Sequence, residues 1–566
     1  MIRAFWGCAV LLAFGAAAAG CGEREAQPRD GRGPDQRLNI VLVMAEDVGP
    51  RMGAYGDTLA QTPNIDRLAR EGARYTRAFT TAGVCSPSRA ALITGIHQNF
   101  WGAGHMRAAA GGYAASPPPH VRALPELLRA AGYYTINNGK TDYQMGLRLG
   151  GAYGGPETLW DDGNTLDWSG RSAGQPFFAF VNLMQTHESQ VWPTWMWPDG
   201  WLPLVLWPLR IWNHLHWPLQ TDPARVSVPP YYPDTPTVRA DLARHYNNIA
   251  AMDAAVGDLL DRLDDEDLSQ KTIVIFTSDH GDGLPRAKRW LYDSGIRVPL
   301  IVRWPGVTQP AAVHPGLVSG VDLAPTILSM AGVAMPAWLQ GRVFVGPEVG
   351  APRPYAYAAR DRIDDQPDTV RAVRDLRFKY IRHFRPELPY VLESDFRDQM
   401  PMMRELREWH AAGRLSGVAT LWFRQTRDAE ELFDTTRDPH EVANLAADPR
   451  HASTLARMRA ALDDWLADHD DLGFLPEEEL RERFFPGGEQ PVTAPPVLTI
   501  EQGVARAESV TEGASIEVRI DAGPWRLYTR PISLAPEEEI LARAQRYGWK
   551  LSDNVKARAS APQSRP

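Results

Sequence analysis

Three apolar runs constrain this chain more than any other feature: Leu38 to Met44, Pro176 to Met184 and Lys271 to Phe276. Each has the length of a strand without the alternation of a half-exposed one, as expected of strands in a sheet covered on both faces. Each also stops at a polar cluster. The first ends in Ala45-Glu46-Asp47-Val48-Gly49, the second in Gln185-Thr186-His187, the third in Thr277-Ser278-Asp279-His280-Gly281-Asp282. A shorter strand, Tyr133 to Ile136, leads into Asn137-Asn138-Gly139-Lys140-Thr141-Asp142. Open α/β sheets bind ligands beyond the C-terminal ends of their strands, so these clusters are candidate site residues. Adjacent carboxylates such as Glu46 and Asp47 suit a hard divalent cation, which prefers oxygen ligands. The plainer alternative is a solvated strand end capped by acids. His187 at a strand end is placed to donate a proton, although a lone histidine is more often packed. Lys140 taken alone reads as an exposed loop lysine.

Between the strands lie helical patterns. Thr62 to Gly72 opens with Pro63 and stops at Gly72, and Leu124 to Ala131 is helical. Arg239 to Leu263 carries Tyr246, Ile249, Met252, Val256, Leu259, Leu260 and Leu263 at helical spacing. The 566 residues are 44% hydrophobic and 23% charged, enough for one large α/β domain with smaller attachments. A net charge of -9 without any basic block argues against a nucleic-acid partner.

The cysteines narrow the chemistry. There are three, Cys8, Cys21 and Cys85. Residues 1–21 read as an export segment, with Arg3 and an apolar run from Ala9 to Ala19. Ala19-Gly20-Cys21 resembles the end of a bacterial lipobox, which would lipidate Cys21 and anchor the protein to a membrane. Cleavage after Ala17-Ala18-Ala19 by an ordinary signal peptidase is the alternative. The expected location is periplasmic or cell-surface, at the outer membrane. Residues 22–37 form a flexible tether. Removal of the leader leaves Cys85 alone in the folded body, which excludes a disulfide.

Cys85 stands in Val84-Cys85-Ser86-Pro87-Ser88-Arg89, followed by Ala90-Ala91-Leu92-Ile93-Thr94-Gly95. Pro87 suits a first helical turn, which places Cys85 just before a helix N-terminus, where free N–H groups favour an anion. A small cysteine packed against a helix start is the alternative. The stretch resembles the sulfatase signature, in which a Cys or Ser followed by Pro two residues on and Arg four residues on is oxidised to formylglycine (3-oxoalanine). The resemblance continues in order from residue 38 to about 480, through Gly295-Ile296-Arg297-Val298-Pro299, Arg360-Asp361-Arg362, Lys379-Tyr380-Ile381-Arg382 and Glu431-Leu432-Phe433-Asp434.

The sulfatase branch of the alkaline-phosphatase superfamily implies an α/β sandwich with a large mixed, mostly parallel sheet. A smaller C-terminal α+β subdomain and an appended small β domain complete the expectation. The units are 38–360 (catalytic), 361–486 (C-terminal subdomain), 495–557 (a β-sandwich like that of chitobiases) and 558–566 (a disordered tail). Within 495–557, Ile540 to Arg543 reads as a short helix. The resemblance also implies a site. Glu46, Asp47, Asp279 and His280, with Cys85, would surround one divalent ion, Ca²⁺ by its oxygen donors. Lys140, His187 and Lys288 would bind sulfate, Arg89 would stabilise charge, and His187 or Lys288 would protonate the leaving group. Sulfatases carry Gly-Lys-x-His where this chain has Lys140 and Asp142. A carboxylate at that position can act as a base but adds negative charge beside a sulfate, and the alternatives are that it faces away or touches the substrate amine.

The Asn-Asn-Gly-Lys-Thr-Asp and Arg-Asp-Arg segments look closest to N-sulfoglucosamine sulfohydrolases. Hydrolysis of a sulfate ester or sulfamate of a sulfated saccharide is the expected activity, with a formylglycine-generating enzyme as the maturation partner. The alternatives are a phosphatase or phosphodiesterase of the same fold, or an inactive surface glycan-binding protein. Trp192 to Pro218 is a Trp-rich insert with Pro193, Pro198, Pro203 and Pro208 at intervals of five. It reads equally as a sugar platform, a membrane-interface contact or internal packing.

Overall fold

The computed structural model describes residues 37–147, 156–192, 208, 221–364 and 366–560. The export segment and tether with Cys8 and Cys21, the Trp-rich insert beyond Trp192 apart from Pro208, and residues 561–566 lie outside the described residues. None of the described helices is long and apolar enough to cross a membrane.

The predicted apolar runs form the middle of a seven-stranded sheet. Its strands are β1 (Asn39–Ala45), β2 (Ala73–Phe79), β3 (Tyr134–Asn137), β4 (Phe177–Leu183), β5 (Thr272–Ser278), β6 (Arg297–Arg303) and β7 (Ala312–Ser319), in the order β3-β4-β1-β5-β6-β2-β7. β3, β4, β1 and β5 are parallel, as are β2 and β7, and β6 alone runs against its neighbours. The C-terminal ends of β1, β3, β4 and β5 therefore meet at one edge.

Every residue of β1, β4 and β5 is buried, which explains the missing alternation. Ile40, Leu42 and Met44 pack to one side against α2 (Cys85–Thr94) and α3 (Leu124–Ala130). Val41, Val43 and Ala45 face the other side, against α1 (Pro63–Glu71) and α4 (Pro236–Asp265). Each fully buried aliphatic side chain contributes about 1.5–3 kcal/mol over exposure, so both faces need their helices. α4 runs 30 residues, capped by Thr235, whose side chain accepts from the Val238 N–H.

A second sheet, β11-β10-β9-β8, is antiparallel and built from β8 (Ala356–Arg360), β9 (Val370–Arg374), β10 (Phe378–His383) and β11 (Glu430–Asp434). The helix Ala452–Ala467 covers it through Met458, Ala461, Leu462 and Trp465. β8 pairs here, although the sequence places residues 38–360 in the first unit.

The C-terminal segment adds β12 (Val497–Glu501), β13 (Val504–Glu508), β14 (Ser515–Ile520), β15 (Arg526–Leu527), β16 (Ile532–Ser533), β17 (Glu539–Gln545) and β18 (Val555–Arg558). They form two small sheets, β12-β13-β16 and β15-β14-β17-β18, around Ala505, Val518, Ile540, Ala542 and Ala544. The helix expected at Ile540 to Arg543 is instead part of strand β17 (Glu539–Gln545), paired with β14 (Ser515–Ile520). Ile540, Ala542 and Ala544 are all fully buried at a spacing of two, and that pairing overrides the helical propensity of Leu, Ala and Arg. Strand β18 (Val555–Arg558) and buried Ala559 carry the ordered fold past the expected end at 557. This unit docks through Arg129, whose Nη1 donates to Glu517 Oε1 at 2.6 Å, and through Tyr547, whose hydroxyl donates to Glu126 at 2.7 Å.

Candidate active site

The strand ends deliver the site. Glu46 and Asp47 follow β1, Lys140 and Asp142 follow β3, His187 follows β4, and Asp279 and His280 follow β5. Cys85 is the first residue of α2, with Val84 as its N-cap, one position deeper in the helix than the sequence implies. All ten residues of this helix are buried, so its start is sunk into the molecule rather than presented at the surface. Asp47 adopts φ 50° directly after the strand, and its N–H donates to Asp279 Oδ1 at 3.1 Å. Gly283 passes so close that an added Cβ would lie 2.9 Å from Asp47 Cβ. Arg107, Gln144, Arg286, Arg289 and Asp364, all near this edge, share the left-handed backbone region that non-glycine residues avoid.

Around Cys85 Sγ lie His280 Nε2 at 3.4 Å, Asp47 Oδ1 at 3.7 Å and Glu46 Oε2 at 3.9 Å. Two overlapping groups, Glu46-Asp47-Cys85-His187 and Asp47-Cys85-Asp279-His280, each have ligand atoms within 4.8 Å of one another. Three buried carboxylates in so small a space are a donor set for a hard divalent cation. His280 joins them as a nitrogen donor, its Nε2 2.8 Å from Asp47 Oδ1.

Cations surround the carboxylates. Lys140 Nζ lies 2.5 Å from Glu46 Oε2, and Lys288 Nζ 2.6 Å from Asp47 Oδ2. Arg89, wholly buried, donates to Glu46, to Asp279 Oδ2 at 3.0 Å and to Asn182 Oδ1 at 2.7 Å. Its guanidinium is thus spent on fixing the carboxylates from below. Isolated buried charges of this kind are prohibitively costly, and mutual pairing is what lets them stay.

The electrostatics sort the groups. Burial, then Asp279, pushes the Glu46 carboxyl up, while Lys140 and Arg89 pull against it. Burial opposes ionisation of Asp47 too, yet Lys288 first and then His280 carry it well below the usual range. Lys288 stays charged: burial would lower it, but Asp47, Cys85 and Glu188 raise it well above an ordinary lysine. His187 is the reverse, pushed down to about 3 by burial and by Lys288. Its Nδ1 accepts from the Ser189 N–H, so the neutral ring carries its proton on Nε2.

The fold therefore gathers Glu46, Asp47, Cys85, Arg89, Lys140, His187, Asp279, His280 and Lys288. Asp142 is buried to one side, 3.8 Å from Arg107 Nη2, and its pairing there offsets the negative charge it would add. Burial resists its ionisation, but Arg107, Lys140 and Ser86 hold it below the usual carboxylate range. Three participants were missed in the sequence. Asn182 ties Arg89 to β4 and Asn138, and its signal was a lone amide inside an apolar strand. Glu188 bridges Lys288 (2.9 Å) and Arg289 (2.8 Å), and its N–H donates to Asp47 Oδ2 at 2.7 Å. Glu188 and Arg289 directly follow His187 and Lys288, the one available hint.

Residues 38–333 match the sequence model of the family described as Sulfatase, and residues 286–387 match that described as N-sulphoglucosamine sulphohydrolase, C-terminal. The chain is 38% identical to an ulvan-active sulfatase of Formosa agariphila over 93% of its own length and 92% of the relative's. It is 30% identical to human N-sulphoglucosamine sulphohydrolase over 85% of this chain and 97% of that one. Among solved structures, one in complex with its substrate D-glucosamine-2-N,6-O-disulfate superposes with a TM-score of 0.54 at 18% identity, covering 78% of this chain and 100% of the other, a likeness of fold.

Proposed function

This chain belongs to the sulfatase family, and from that membership we propose that it is a formylglycine-dependent hydrolase removing sulfate, as ester or sulfamate, from a sulfated glycan. The observation that carries the proposal is the seating of Cys85 at a buried helix start, within 4 Å of His280, Asp47 and Glu46. The relatives named for ulvan and for N-sulphoglucosamine support a saccharide substrate.

The donor set fits a divalent cation, Ca²⁺ by its hard oxygen ligands, held by Glu46, Asp47, Asp279 and His280. When bound, the ion would polarise sulfate oxygens, and formylglycine at position 85 would supply a hydroxyl nucleophile. The remaining work falls to this chain's own side chains. Lys140 and Lys288 approach from the Glu46 and Asp47 sides, and both would compensate the charge of a sulfate. Lys288 Nζ holds a proton throughout neutral pH and can pass it to the leaving oxygen or nitrogen. His187, neutral there, offers its Nε2–H as a hydrogen bond. Arg89 fixes the carboxylates, and the pairing of Asp142 with Arg107 supports a role for Asp142 in holding that guanidinium.

Maturation by a formylglycine-generating enzyme and export as a lipoprotein through Cys21 complete the proposal, supported by the residue-85 motif and by Ala19-Gly20-Cys21. The test is mass spectrometry of the peptide spanning residue 85 after co-expression with a maturation enzyme, paired with sulfate release from N- and O-sulfated saccharides. Conversion of Cys85 with release is expected. An intact thiol and no release would overturn the reading in favour of a glycan-binding protein.

A further inference from the structure

The loop from Ala103 to Ala108 packs beside the reaction centre, with Met106 Sδ 3.6 Å from Ser86 Oγ, and it is fastened from two sides. On one side stands Arg362, the last residue of the Arg-Asp-Arg motif. Its N–H donates to His105 Nδ1 at 3.1 Å and its carbonyl accepts from the Met106 N–H at 2.7 Å. Its guanidinium donates to the carbonyls of Met106 and Arg107, each at 3.2 Å, and is held in turn by Glu477 at 2.6 and 2.7 Å. On the other side Gln144 accepts from the Ala108 N–H at 2.9 Å and donates to the carbonyls of Ala103 and His105. These bonds hold Arg107 at φ 56°, a backbone conformation that persists only where surrounding structure enforces it.

The side chain thus presented is under-used. Arg107 keeps 33% of its side-chain surface exposed, and its one ionic partner among the described residues is Asp142 at 3.8 Å. It donates no side-chain hydrogen bond among the described residues, and Asp142 Oδ2 likewise has none. The residue before it, Met106, touches Ser86 beside Cys85, and its partner Asp142 lies two positions from Lys140, so Arg107 borders the reaction centre. A guanidinium on a rigid loop, with its fork of donors unspent, matches an oxyanion in two-bond geometry.

We propose that Arg107 is the recognition arm for a second oxyanion, a carboxylate or a further sulfate, on the saccharide that carries the scissile sulfate. The proposal rests on the sulfatase reading and names the class of substrate within it. Asp142 parks the arm while the pocket is empty, and its charge opposes an anion there unless Arg107 engages it. Arg362 is the positioning residue that gives the Arg-Asp-Arg motif its purpose.

The test uses full-length protein and three versions of one sulfated disaccharide: with a uronate carboxylate, with that carboxylate reduced to an alcohol, and reduced but bearing a second sulfate. The wild type is expected to favour the anion-bearing forms over the reduced one by about 10- to 100-fold in kcat/KM, the size of one charge-assisted hydrogen bond. Arg107→Ala collapses that ratio, mainly through KM, and Arg107→Lys restores part of it. Collapse for the carboxylate alone identifies a uronate, and collapse for the sulfate alone a second sulfate. No discrimination by the wild type, or a ratio preserved in Arg107→Ala, overturns the proposal. Absence of turnover on all three would refute the sulfatase reading instead. Calorimetric binding of the same saccharides to Cys85→Ala then decides: at least tenfold weaker anion binding on adding Arg107→Ala sustains the proposal, and equal affinity overturns it.

Discussion

Glu188 Oε1 lies 2.9 Å from Lys288 Nζ, while the same carboxylate receives two bonds from Arg289 at 2.8 and 3.1 Å. One buried acid thus locks a lysine of the reaction centre to an arginine of its wall. Glu188 is held down to about 2, burial opposing and Arg289 and Lys288 prevailing, so at neutral pH it is ionised beside a charged Lys288.

Replacing that acid tests its positioning role. Glu188→Gln removes one of the groups that raise Lys288, so the alkaline limb of the kcat profile is expected to move to lower pH. Loss of one partner from a buried ionic group also costs about 3–5 kcal/mol of stability. A pH series of kcat beside a thermal melt checks both, and an unmoved alkaline limb would refute the coupling.

Metal occupancy is expected to stabilise the fold, because Asp279 still works against ionisation of Glu46 although Arg89 and Lys140 already pair with these acids, and a divalent ion would add the charge that three crowded carboxylates lack. Saturating Ca²⁺ at 100 times its Kd adds about 2.7 kcal/mol. Chelation should lower the Tm of the wild type, whereas Asp279→Asn should show little Ca²⁺-dependent shift. An equal shift in the variant would place the ion elsewhere.

Acid sensitivity has an identifiable source in His97. Its ring is buried against Phe100 and Trp465, its Nδ1 lies 2.8 Å from Gln340 Oε1, and burial pushes its pKa down to about 3. The unfolded chain binds this proton near pH 6.5 and the folded chain does not. Stability is therefore complete above about 6.5 and falls by about 1.4 kcal/mol per pH unit as pH drops toward 3. Denaturant unfolding between pH 7 and 5 should be flatter in His97→Gln; identical slopes would exclude His97.

The docking of the C-terminal sandwich is expected to depend on Arg129, which bonds Glu517 at 2.6 Å and Asp161 at 2.7 Å. Arg129→Met leaves the buried Glu517 with Arg543 as its remaining ionic partner, so the cost is expected to fall below the figure of about 3–5 kcal/mol for a fully orphaned buried charge. Limited proteolysis between the units, around residues 488–496, should accelerate in the variant. Unchanged cleavage would assign the docking to Tyr547 and Glu126.

The legible part of this molecule was its most repetitive physics. Apolar runs such as Leu38 to Met44 announce strands buried on both faces, and polar residues at their ends locate the site because a parallel sheet aligns those ends. Lys140, His187 and Lys288 were singled out by resemblance to the family's motifs, with the strand ends before Lys140 and His187 in support. Asn182, Glu188 and Arg289 were not, because their importance lies in partners 93, 100 and 101 positions away. Ile540 to Arg543 misled for a related reason: alanines at alternate positions suit a helix until a neighbouring strand supplies the pairing.

The burial of α2 has a consequence in time. Cys85 is 2% exposed, and its neighbours reach it across separations of 38, 39 and 195 residues. Closing such long loops costs chain entropy that only the assembled sheet repays. The pocket is therefore among the late structures to exist, and any large catalyst that acts on the thiol must meet it while the chain is still open. On the proposed reading, folding would set the deadline for maturation.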